Sequence, residues 1–108
     1  MGILIFDGTN PLDPQWIGTY PAFYWDMEIA GGYLYGTHSH ELVVLSLSAP
    51  WQPQESSVCP TVGFVWDLCI ENGRAYLADS YLEIIDVGDP HEPAWLGMFD
   101  NFRFGRPC

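Results

Sequence analysis

The sequence contains no lysine, and its 3 arginines face 14 acids, for a formal charge of -11. A chain with that balance repels nucleic-acid phosphates and anionic lipid surfaces, so no nucleic-acid partner is expected. Long apolar runs are missing too. The run after Met1 covers only Ile3 to Phe6, too short for a secretory signal or a membrane span, so no membrane insertion is expected. No window shows a convincing helical period, which excludes an amphipathic helical core. There is no Gly-x-Ser-x-Gly elbow, no His-Glu-x-x-His pair and no phosphate-cradling glycine loop, so neither a catalytic residue nor a cofactor is implied. Cysteine is scarce and odd in number: Cys59, Cys69 and Cys108 leave one thiol free or paired elsewhere. Cys69, inside "DLCI", reads as a small buried hydrophobe, and Cys59 has no basic neighbour in sequence to lower its pKa.

What is plentiful points to strands. Aromatic residues make up 16% of the chain, and its 9 prolines and 11 glycines are scattered, which suits many short elements joined by many turns. The stretch "LEIIDVGDPHEPAWLG" (Leu82–Gly97) repeats "ILIFDGTNPLDPQWIG" (Ile3–Gly18) at a constant offset of 79. A middle copy, "LVVLSLSAPWQPQ" (Leu42–Gln54), lies halfway between them. A second block, "FYWDMEIAGGYLY" (Phe23–Tyr35), returns as "FVWDLCIENGRAY" (Phe64–Tyr76) at an offset of 41. A unit of about 40 residues built from short apolar strands is the signature of a propeller blade. Gly31-Gly32 and Asn72-Gly73 supply the positive φ angles of tight hairpin turns. "LVVLSL" and "LEIIDV" are near-continuous apolar runs rather than alternating ones, as in strands covered on both faces. "PQWIGTY" and "PAWLGMF" read as outer strands opened by Pro14 and Pro93, which an edge tolerates.

The expected fold is therefore all-β, a partial β-propeller of about two and a half four-stranded antiparallel blades. The half blade spans 1–22, the full blades 23–62 and 63–101, and 102–108 starts another blade or forms a tail. Blade faces left open need covering. The expectation is that the chain is a segment of a longer protein, or that other copies of it associate to complete a ring.

The final copy resembles the LVIVD repeat, a bacterial and archaeal β-propeller unit. The resemblance rests on Tyr76-Leu77-Ala78-Asp79, Leu82 to Val87, Gly88-Asp89-Pro90 and Pro93. The earlier copies depart from it, with "GTNP" and "LSAP" at the turn and Ser46 in place of the aspartate. The resemblance implies a propeller in a secreted or surface-exposed protein and carries over no active site.

The copies also sort candidate sites. Asp7, Ser46 and Asp86 share one slot before a proline turn, where a side-chain oxygen can accept a backbone N–H. Asp26 and Asp67 follow tryptophans and enter their blades alike, so they could line a central mouth with carboxylates or simply bond strand ends. In "THSHE", His38 and His40 would share a side if the segment were extended. With Glu41 they form a candidate transition-metal site. His91 occupies a turn slot that tolerates Leu12 and Trp51, which suggests exposure. Trp51 is a candidate for a sugar- or protein-binding surface. The function expected is a non-enzymatic scaffold that binds an unidentified protein or small ligand, in an extracellular or cell-envelope setting. The alternative is a hydrolase or metal-dependent enzyme with Asp26, Asp67, His38 and His40 on the propeller mouth.

Overall fold

A computed structural model of the chain describes residues 2–49, 52–79 and 81–99. Ten strands form three antiparallel sheets, and no helix occurs among the described residues. The first sheet pairs β1 (Ile3–Asp7) with β2 (Gln15–Tyr20). The second runs in sequence order through β3 (Met27–Ala30), β4 (Tyr33–His38), β5 (Glu41–Ser46) and β6 (Gln54–Pro60). The third repeats that order with β7 (Asp67–Glu71), β8 (Arg74–Ala78), β9 (Leu82–Asp86) and β10 (Ala94–Phe99). This is two four-stranded blades preceded by the outer pair of another.

The turns behave as their sequences dictate. Gly31 and Gly32 have φ of 58° and 82°, and Asn72 and Gly73 have 51° and 75°, the left-handed pair that matches strand twist in a two-residue hairpin. Asp7 Oδ1 accepts from Thr9 N at 2.9 Å, Asp86 Oδ1 from Gly88 N at 2.8 Å and Ser46 Oγ from Ser48 N at 3.4 Å. The shared slot is thus a turn pin in all three copies. Asp7 is held below the usual carboxylate range by the Thr9 hydroxyl and then by the Thr9 amide. One strand has no apolar signature in the sequence: β6, "QESSVCP", is recruited by pairing with β5.

The core lies between the sheets. Tyr35, Leu42, Val44 and Cys59 of the second sheet pack against Leu68, Ala75, Leu77 and Ile85 of the third. The opposite face of the second sheet, with Leu34, Val43 and Leu45, packs on Ile3 and Tyr20 of the first. Both faces of β5 are covered, which explains its continuous apolar run. Each fully buried Leu, Val or Ile contributes roughly 1.5–3 kcal/mol.

The innermost strands meet through side chains. Asp26 Oδ2 accepts from Leu68 N at 2.9 Å, and Glu28 Oε2 accepts from Ile70 N at 2.7 Å. Two carboxylates of one blade thereby satisfy outward amides on the edge strand of the next, which blunts that edge against foreign strands.

Candidate functional site

The Trp-Asp segments that lead into β3 and β7 come together at one end of the blade joint. Phe23 and Trp25 stack edge-on at 5.4 Å between centroids, Trp25 meets Phe64 at 5.6 Å, and His40 meets Phe64 at 6.4 Å. Although it has aromatic neighbours on both sides, Trp25 remains 58% exposed, and Phe23, Phe64 and Trp66 are 42–48% exposed. A ladder of exposed rings crosses the joint.

Asp26 and Asp67, read as lining a mouth or bonding strand ends, are in contact here. Each carboxylate accepts the amide that follows it, Met27 N and Leu68 N, both at 2.9 Å. Leu68 N–H is shared, because Asp26 Oδ2 accepts it too at 2.9 Å. Burial, followed by the hydrogen bond with Asp67, raises the Asp26 pKa above the usual carboxylate range.

The histidine segment is a turn. Ser39 has a φ of 54°, and Ser39-His40 caps the hairpin in which His38 pairs with Glu41. His38 Nδ1 and Glu41 Oε1 are 3.9 Å apart and exposed, while the His40 ring leaves them for Phe64. The extended geometry that would align His38 with His40 is therefore not adopted. Among the described residues, no three His, Cys, Asp or Glu side chains are grouped to hold a metal ion. Trp51 and Cys108 lie outside the described residues. Cys69 is more than a buried hydrophobe, because it is disulfide-bonded. Cys59 is a free, buried thiol whose pKa is raised by burial and then by Glu83, the reverse of an activated nucleophile.

Two arrangements were not anticipated from the sequence. His91 is exposed, as its tolerant slot suggests, but it bridges the two blades: its Nδ1 lies 2.8 Å from Ser56 Oγ and its Nε2 lies 3.4 Å from Tyr33 OH. A cavity of about 420 Å³ opens beside it, lined by Tyr33, Tyr35, Ile70, Asn72 and Val87. Among the described residues no carboxylate is hydrogen-bonded to the imidazole, which is the orienting group a nucleophilic triad uses. The second arrangement is a buried acid pair, Asp79 and Glu83. Its signal lay in the repeat, where Glu83 fills a slot held by Leu4 and Val43 in the other copies.

The LVIVD repeat family matches residues 24–61 and 62–101, which cover both four-stranded sheets. The chain belongs to the LVIVD repeat family. Each matched LVIVD repeat contains one full sheet and the segment that leads into it, so the family unit and the structural unit agree. No curated protein matches the chain.

Proposed function

We propose that these LVIVD repeats form a non-enzymatic binding scaffold within a larger secreted or cell-envelope protein. The observation that carries the reading is the aromatic ladder Phe23–Trp25–Phe64, exposed at a joint where both neighbouring blades are complete. Aromatic rings left in water at a packed joint offer large contact area at low conformational cost. The -11 charge of the chain selects a partner with basic groups, which can also lie over the rings. The extracellular setting rests on the family resemblance.

Binding can be read from tryptophan fluorescence during titration with arginine-rich peptides and, separately, neutral oligosaccharides. The peptides should quench the signal, and a Trp25→Ala/Phe64→Ala variant should remove most of that response. Unchanged binding by the variant would reject the ladder as the contact surface.

The contact between Asp26 and Asp67 favours a second reading, a hydrolase or metal-dependent enzyme using the same end of the molecule. Elemental analysis of the purified chain separates the two. Stoichiometric metal lost in a His38→Ala/His40→Ala or an Asp26→Asn variant would favour the enzyme.

A further inference from the structure

Asp79 follows β8 and Glu83 lies within β9, where the register pairs Ala78 with Leu82 and Leu77 with Glu83. The turn brings the two acids together in the interior, 2% and 0% exposed. Glu83 gathers donors. Val62 N lies 2.9 and 3.1 Å from its two oxygens, Gly63 N lies 3.3 Å from Oε2, and the Trp95 indole N–H lies 3.0 Å from Oε1. It thereby ties the linker between β6 and β7 to the outer strand β10.

Asp79 is bonded differently. Its Oδ1 accepts from Tyr81 N at 2.6 Å, whereas its buried Oδ2 meets no donor. That oxygen is packed so tightly on the linker that a Cβ at Gly63 would stand 2.7 Å from it. The Asp79 and Glu83 carboxyls lie within interaction range of each other. Two carboxylates only accept, so a hydrogen bond between them needs a proton, and a proton on Asp79 would give its orphan oxygen a role as donor. Among the described residues the titratable neighbours bring no positive charge: the Cys59 thiol of β6 senses Glu83, Tyr81 contributes its amide, and His40 reaches the linker through its carbonyl.

We propose that Asp79 and Glu83 form a one-proton latch that fastens the 61–63 linker to the second blade, and that loss of the proton loosens this joint. With the proton in place the pair carries a single charge, held by the Val62, Gly63 and Trp95 N–H groups. Without it, two buried charges face each other, and the approach of Gly63 N–H to Asp79 offsets only part of that cost. Burial, then the bond to Glu83, raises the Asp79 pKa to about 6. Burial opposes the charge on Glu83, but bonds from Asp79, Val62, Trp95 and Gly63 outweigh it and hold its pKa below the usual value. For an acid whose pKa is raised on folding, the stabilisation is complete below the unfolded value and is lost as pH rises through the folded one. The latch is therefore closed in mildly acidic solution and opens as pH passes about 6.

Carboxyl-carbon NMR on the intact chain tests the protonation directly. Asp79 should remain protonated at pH 5 and titrate near 6, and an Asp79 already ionised at pH 5 would overturn the proposal. Urea unfolding of wild type and Asp79→Asn tests the energetics, because asparagine keeps a donor toward Glu83 that cannot be titrated away. Between pH 5 and 7.5 the wild-type folding constant should fall about tenfold more than that of the variant. Equal pH slopes in the two proteins would also overturn it. Hydrogen exchange locates the effect: above pH 6, Val62 and Gly63 amides should lose protection in wild type but not in Asp79→Asn. Loss spread evenly over the strands would reject the linker as the part that moves.

Discussion

Tyr24 lies across Gly36 so closely that a methyl group there would meet ring atoms at 2.6 Å. The next blade has Val65 and Leu77 at the corresponding places, both fully buried. One joint uses a large ring over a glycine and the other a small side chain beside a leucine, so the pairs exchange bulk while the packing is kept. Gly36→Ala should therefore destabilise the chain by about 1–3 kcal/mol in urea unfolding. Adding Tyr24→Val should recover part of that loss, since it removes the ring that the methyl strikes. A double variant no more stable than the additive sum would show that the contact is not shared. The Tyr24 hydroxyl, raised to about 12 by burial and then by Tyr20 and Glu55, stays protonated throughout such measurements.

At the scale of elements, the hairpins and the inner joint make separate contributions. Gly31 and Asn72 hold the same left-handed place in their turns, and Gly31 has open space around it. Gly31→Asn should therefore stabilise by about 0.4–1 kcal/mol, through a less flexible unfolded chain, and raise the urea midpoint. Glu28→Ala removes a bond to Ile70 N and should cost about 1 kcal/mol, with faster exchange at that amide. These hairpins were legible in the sequence because a two-residue turn carries its own chemistry, and the turn pins at Asp7, Ser46 and Asp86 were legible for the same reason. Strand β6 was not, since its polar residues acquire a strand conformation only from pairing with β5. The contact of Asp26 with Asp67 joins residues 41 apart, and sequence could give their equivalence but not their distance. His38 and His40 do not share a side because Ser39 turns the chain between them, a positive φ that serine signals poorly.

For the molecule as a whole, the repeat states what each face of a blade is built to meet. Tyr35 and Val44 face each other across β4 and β5, and the third sheet buries them. Their counterparts Tyr76 and Ile84 face each other across β8 and β9 in the same register, yet they are only half-buried among the described residues. The same apolar pair is thus covered interior at one joint and only half-buried at the other. Exposed apolar faces of this kind associate. The isolated chain should form concentration-dependent oligomers in analytical ultracentrifugation, and Tyr76→Ser/Ile84→Thr should shift it toward monomer. That variant should lose little stability, because its side chains are only partly withdrawn from water in the monomer. The matched variant Tyr35→Ser/Val44→Thr should lose several kcal/mol, since it places hydroxyls in a covered joint. Equal stability losses in the two variants, or a wild-type chain that stays monomeric at every concentration, would mean that the second blade's outer face is already complete.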